Sequence, residues 1–361
     1  MVRQPKIKKP MKTKQLLFLF SVMLMSLNAC KKSTENPTPE PPPPVTPPVV
    51  TPYVPDNSFK IVAYMPGYRD PATVSDAKYK MITHLFFAFL NINPTADGSV
   101  LPLTATESSR FNIVRTKAKA NNVKFGISVM GAESIFATVA RNPATRTAFV
   151  NNLVNFAKAQ NLDGIDMDWE YPRTSNGGPS TDFTALMKEL STELHKVGKY
   201  LSAAITPGVY VSTNRDAIEA EVYQYVDFFN IMQYDGGVGY DSNEPLNHAS
   251  MRMTDASLNF WLNTKGMPQL KAVLGMPLYG KNAQGNSISF REIEAAGNDV
   301  NLNLATVNGV DYGYNGILAV KEKTRKAVER TNGIMFWEFA HDTNSANSLI
   351  KAANDQLGRS Y

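Results

Sequence analysis

Past Lys60 the chain settles into a regular exchange between two kinds of segment. Eight short runs are rich in Val, Ile, Phe or Tyr: Lys60–Tyr64, Ile82–Leu90, Lys124–Val129, Gly164–Glu170, Leu201–Thr206, Phe228–Tyr234, Ala272–Leu278 and Gly333–Phe339. Runs of this length and composition predict buried strands. Between most of them lie stretches with apolar residues at helical spacing, at Arg110–Ala120, Ala148–Ala159, Phe183–Val197 and Leu318–Arg330. In the third of these, Phe183, Leu186, Met187, Leu190 and Leu194 fall on one stripe, which predicts a helix packed on a sheet. Strand and helix alternating eight times predict an α/β fold, a (β/α)8 TIM barrel occupying 57–361 as one domain. A doubly wound open sheet is the rival. Its nucleotide-binding members carry a Gly-rich turn after the first strand, and the turn here reads MPGYRD.

Before the first strand the pattern breaks down. Basic residues through Lys14 precede an apolar run, Leu16 to Leu27, that is too short for a permanent membrane span. The tetrad LNAC ends in Cys30, the only cysteine, so no internal disulfide can form. LNAC resembles a bacterial lipobox, which implies a signal peptide over 1–30, lipidation of Cys30 and an exported, membrane-anchored lipoprotein at the outer membrane or cell surface. The stretch KKSTENPTPEPPPPVTPPVVTPYVPD, 31–56, is too Pro-dense for helix or sheet and reads as an extended tether. This N-terminal region also distorts the charge balance. The formal net charge is +5, yet the segment through Lys32 holds no acid, and beyond it acidic side chains outnumber basic ones. The high pI is therefore no nucleic-acid footprint.

One run carries the chemistry. In LDGIDMDWEYP, Leu162 to Pro172, strand parity sends Gly164, Asp166, Asp168 and Glu170 to one face and Ile165, Met167 and Trp169 to the other. Three carboxylates in register on a buried strand must share protons or donors. A solvated acidic surface does not fit the apolar opposite face, and a calcium loop would need Gly where Tyr171 stands. In a barrel, active residues gather at the C-terminal strand ends. Tyr64, Ser128, Glu170, Met232, Tyr234, Asp235, Tyr279 and Trp337 all fall there. Asp163, of opposite parity, reads as a structural hydrogen-bonding residue. The four histidines form no pair at ligand spacing, so no metal or other cofactor is implied.

These residues together resemble family 18 glycoside hydrolases, the chitinase family. LDGIDMDWE is similar to the family's DGxDxDxE signature with every acidic position filled. MQYD (Met232 to Asp235) resembles its sixth-strand motif, and Trp337 in GIMFWEF resembles the aromatic floor of its sugar site. The third-strand SxGG departs, since Ser128-Val129-Met130-Gly131 puts Met130 where the first Gly belongs. The run SISFREIEAAGNDVNLNLATVNGVDYGYNG is short where many processive members carry a larger α+β insertion, which suggests a more open groove.

The resemblance implies a retaining, substrate-assisted hydrolase that cleaves β-1,4 bonds of N-acetylglucosamine polymers, with chitin or chitooligosaccharides as partners and a monomeric enzyme. It implies Glu170 as general acid and base, Asp168 as orienter of the acetamido N–H, and Asp166 as the partner sharing its proton. Tyr64 and Ser128 would donate to Asp166. Tyr234 would bond the acetamido oxygen, Asp235 the sugar or the same acetamido group, and Trp337 would face the pyranose ring, with Met232 at the mouth. Tyr68, Tyr171, Tyr210, Tyr240 and Tyr279 are further sugar-platform candidates. An endo-β-N-acetylglucosaminidase cutting N-glycan cores shares this chemistry. A sugar-binding lectin on the same scaffold is the non-catalytic alternative, and such proteins typically replace the acid that Glu170 retains.

Overall fold

The computed structural model describes residues 53–174, 178 and 180–361. The signal segment, Cys30 and the tether as far as residue 52 lie outside them. Eight parallel strands close into a barrel: β1 (Lys60–Pro66), β2 (His84–Asn91), β3 (Lys124–Met130), β4 (Gly164–Met167), β5 (Tyr200–Ile205), β6 (Phe228–Ile231), β7 (Ala272–Pro277) and β12 (Gly333–Trp337), with β12 sealing the ring between β7 and β1. Helices fill most of the connections, as the alternating pattern requires. The helix Ala105–Ala120 begins where Thr104 and Glu107 cap each other reciprocally, and Pro143–Ala159 begins with Pro at its first turn behind an Asn142 cap. Both start earlier than the apolar spacing alone marks, because capping residues are polar.

Burial divides by strand parity. One face of the strands packs outward on the helices, where Trp169 stacks on Phe136 at 5.3 Å and meets Phe183 edge-on. The other face fills the barrel with Val62, Tyr64, Phe86, Tyr200, Phe228 and Met335. Gly164 is explained by this interior. A Cβ there would lie 2.3 Å from the Tyr200 ring, so only glycine lets β4 pass.

Two strands stop well short of the ends of their apolar runs. β4 stops at Met167, so Asp168 and Glu170 stand beyond it, although the Asp168 N–H still reaches the Val129 carbonyl at 2.9 Å. β6 stops at Ile231. Beyond it the Gln233 N–H bonds to the Ile231 carbonyl and the Tyr234 N–H to that of Met232, which curls the chain off the sheet. The run between β7 and β12 is short but ordered. β8 (Tyr279–Lys281), β9 (Ser287–Ser289), β10 (Leu304–Val307) and β11 (Val310–Gly313) form a small antiparallel sheet with the helix Phe290–Ala295.

Candidate active site

The site grows from one carboxylate. Ser128 on β3 and Ser202 on β5 are the register partners of Asp166 on β4, so all three side chains emerge inward at one level. Asp166 Oδ2 accepts the Tyr64 hydroxyl at 2.8 Å and the Ser128 hydroxyl at 2.8 Å. Its Oδ1 accepts the Ser202 hydroxyl at 2.6 Å and the Asn230 amide at 3.2 Å. Asn230 also donates to Tyr64 Oη at 2.8 Å, which closes the cluster. Burial raises the Asp166 carboxyl above its usual range, and the four donors work against that rise.

Asp168 is the next acid toward the mouth. Burial, then the charges of Glu170 and Asp166, push its carboxyl well up. Its Oδ1 has no partner among the described residues. Burial between two other carboxyls favours the protonated form of Asp168, whose proton can be shared along the column. Glu170 comes last and is the only one of the three that is partly exposed.

Facing this column is a wall built by β6, β8 and the loop after β6. Tyr234 is buried, and desolvation together with the charges of Asp168 and Glu170 keeps its hydroxyl protonated. Asp235 has φ of 60°, a left-handed turn that swings its side chain to β8. There its Oδ1 accepts the Tyr279 hydroxyl at 2.6 Å and pairs with Lys281 Nζ at 2.8 Å. His248 Nδ1 accepts the Asp235 N–H at 3.1 Å, and its Nε2 lies 3.2 Å from the Tyr279 carbonyl. Burial acts to raise the Asp235 carboxyl, but the Lys281 ammonium and the Tyr279 hydroxyl outweigh it and hold it well below the usual range.

Between column and wall lies a pocket of about 190 Å³. Glu170, Asp168, Tyr234, Asp235, Tyr171 and Trp337 are among its lining residues, with Met232 and Tyr64. Trp337 is partly exposed and backed by the near-parallel Phe89 ring at 5.8 Å. Tyr279 lines the pocket too, yet its ring is packed against His248 and its hydroxyl is spent on Asp235. It braces the wall and is no open platform. Tyr68, Tyr210 and Tyr240 lie outside the lining: Tyr68 bonds Glu338 at 3.1 Å, and Tyr210 and Tyr240 meet edge-on at 5.7 Å on the loops after β5 and β6. Asp163 sits at the other end of β4, where it takes Lys119 Nζ at 2.6 Å and the Phe125 N–H at 2.7 Å.

A buried, donor-rich acid column leading to one accessible glutamate, opposite a tyrosine and beside a tryptophan, is an arrangement suited to glycosidic chemistry, and comparison with known proteins agrees. The family model described as Glycosyl hydrolases family 18 matches residues 60–342. The chain belongs to that family. Chitinase 1 of Aphanocladium album is 25% identical over 349 residues, 79% of this chain and 81% of that protein. Chitotriosidase-1 of Mus musculus is 27% identical over 257 residues, 62% of this chain and 53% of that protein. The matched stretch spans less than two thirds of several such relatives. Among solved structures, a family 18 chitinase of Cycas revoluta in complex with (GlcNAc)3 superposes with a TM-score of 0.71 at 24% identity, covering 83% of this chain and all of that one.

Within this family 18 barrel, Met130 stands in place of the glycine of the SxGG pattern and its side chain lines the pocket. Sequence reasoning missed Ser202 and Asn230 on the column, Lys281 and His248 on the wall, and Phe89 and Met335 in the lining. A signal existed for the first two, since each is a lone polar residue in an apolar, fully buried strand.

Proposed function

We propose that this chain is a retaining, substrate-assisted glycoside hydrolase that cleaves β-1,4 bonds next to N-acetylglucosamine, with chitin or its oligomers as substrate. The observation that carries the reading is the graded column: Asp166 saturated with donors, Asp168 pushed toward its protonated form by burial and like charge, Glu170 alone at the lip. In this scheme Glu170 gives its proton to the leaving oxygen. The substrate's own acetamido oxygen attacks the anomeric carbon, so the protein needs no second carboxylate as nucleophile. Asp168 steers the acetamido N–H and, with Asp166, accommodates the positive charge that develops; Tyr234 donates to the acetamido oxygen. Glu170 then acts as base toward water, and two displacements retain configuration. Trp337 offers its face to the ring of the reacting sugar. The names of the relatives and the (GlcNAc)3 bound by the Cycas protein support this substrate class.

The test is product analysis on chitotetraose, with NMR of the first-formed anomer, beside a high-mannose glycoprotein. β-Anomeric N-acetylglucosamine oligomers are expected. Cleavage of the glycoprotein alone would move the assignment to an endo-β-N-acetylglucosaminidase. Glu170→Gln should lower turnover by at least about a thousandfold with binding kept, and near wild-type turnover would remove Glu170 from its role. Binding without hydrolysis by the unaltered protein would make it a lectin. We also propose that Cys30 is lipidated and that the Pro-rich segment tethers the barrel to a membrane; metabolic palmitate labelling that persists in Cys30→Ser would refute this.

A further inference from the structure

Behind the wall lies a charged group that the proposed reaction does not use. Lys323, on the helix Ile317–Arg330, is fully buried. Among the described residues its ammonium meets no carboxylate. It donates instead to the side-chain carbonyl of Gln233 at 2.9 Å, the side-chain carbonyl of Asn315 at 2.6 Å, and the backbone carbonyl of Ala249. Gln233 stands between Met232 and Tyr234. Ala249 follows His248, the residue that holds the Asp235 N–H. Asn315 follows β11, whose Gly313 is the register partner of Lys281, the ion partner of Asp235. Two of the acceptors thus lie beside Tyr234 and His248 in the segment after β6, and the third follows the strand that pairs with β8.

The network extends further. Asn315 donates to Ala249 at 3.0 Å and to Asn247 at 3.1 Å, and Asn247 donates to Glu244 at 2.7 Å. Thr254 adds a second donor to Gln233 at 2.8 Å. A lysine buried among neutral carbonyls is costly, and burial lowers its pKa to about 7, with Glu244 the charged neighbour acting the other way. A hydrophobic residue could fill the same volume at less expense, so the group's use is geometric.

We propose that Lys323 is a positioning residue for Tyr234 and Asp235, clamping Gln233, Ala249 and Asn315 so that the segment Met232–Asp235, which has left the sheet, keeps the pose the reaction needs. This rests on the hydrolase reading above for its kinetic part, and a second measurement is independent of it.

The experiment compares wild type, Lys323→Met, Asn315→Ala, Tyr234→Phe and the Lys323→Met/Tyr234→Phe pair, on chitotetraose and by amide hydrogen exchange. Lys323→Met should lower kcat about ten- to a hundredfold, as a misplacement of about 1 Å does, and change KM less than about threefold. In the Tyr234→Phe background the same change should cost less than in the wild type, because one of the two groups it positions is gone. Asn315→Ala should show the same split with a smaller loss, which keeps the test valid if Lys323→Met does not fold. Exchange should quicken at 232–236 and 247–250 while 60–66, across the barrel, stays as it was. Equal losses in both backgrounds, or a KM effect alone, would overturn the proposal. If the wild type hydrolyses nothing, the functional reading fails and exchange alone decides: unchanged rates at 232–236 would reject the clamp.

Discussion

Ser202 and Ser257 are both fully buried serines, and the same substitution should act on them in opposite ways. Ser202 gives Asp166 Oδ1 its shorter hydrogen bond, at 2.6 Å, and without it that oxygen keeps only Asn230 at 3.2 Å. A hydrogen bond to a charged, buried group contributes about 1.5–3 kcal/mol, so Ser202→Ala should destabilise by that amount at neutral pH. Ser257 Oγ is buried with no partner among the described residues, and Ser257→Ala removes that unsatisfied hydroxyl, for an expected change between zero and about 1 kcal/mol of stabilisation. The loss at Ser202 should also depend on pH. Burial raises the Asp166 carboxyl above its ordinary value, so ionising it costs the folded state, and each donor reduces that cost. The contribution of Ser202 is therefore full when Asp166 is ionised and fades as falling pH protonates it. Urea unfolding of the three proteins between pH 4 and pH 8 measures both points. Removal of the donor also lets Asp166 compete for the proton of Asp168, so kcat/KM should fall with stability, by up to about a hundredfold if the whole energy is expressed in the rate. Equal costs at the two serines, or a Ser202→Ala loss that does not shrink in acid, would refute the view of Asp166 as an anion held by its donors.

Gly164→Ala should cost about 1–3 kcal/mol, because its methyl would press 2.3 Å from Tyr200, and thermal unfolding reads it. Lys323 predicts a stability slope. Its folded pKa is about 7 against an ordinary value of 10.5, so between those limits the unfolded chain binds one more proton and wild type gains about 1.4 kcal/mol per pH unit relative to Lys323→Met. Below the folded pKa the difference should be level; a difference that stays flat from pH 7 to pH 9 would count against the lowered pKa of Lys323. Trp337→Ala, removing the face expected to meet the sugar, should raise KM for chitotetraose about tenfold or more, and an unchanged KM would place the sugar elsewhere.

How much of this was legible in the sequence differs between the two sides of the pocket. The column was readable because it lies on one strand, where parity alone separates Asp166, Asp168 and Glu170 from Ile165, Met167 and Trp169. Parity even survives past the end of β4, since Trp169 still packs outward on Phe136. Ser202 escaped notice because an isolated serine in LSAAIT looks like filler until register places it beside Asp166. On the wall, composition misled. Met232 and Tyr234 look like strand residues because they are apolar and buried, but they are buried in a pocket lining, and Asp235 takes a left-handed turn that no periodicity announces. The small sheet was passed over for a related reason, since strands of three or four residues with exposed faces carry too little pattern. One local sign was present: Asn308-Gly309, both at positive φ, form the hairpin turn between β10 and β11.

This difference in construction has a chemical counterpart. Two carboxyls of the same residue type, Asp168 and Asp235, line one pocket and are driven in opposite directions. Asp168 is buried beside like charges with one oxygen unpartnered among the described residues, and its carboxyl is pushed well up toward the protonated form. Asp235 is equally an aspartate, but the turn at its own backbone delivers it to Lys281 and the Tyr279 hydroxyl, and it stays ionised far into acid. Environments that push such a pair apart let one pocket present a proton donor and a fixed anion at the same pH. The column obtains this from burial, which the strand supplies by itself. The wall obtains it from positioned partners, so it depends on whatever holds Met232–Asp235, Lys281 and His248 in place. Damage to the column should therefore appear in stability and rate together, whereas loosening of the wall should reach the rate first.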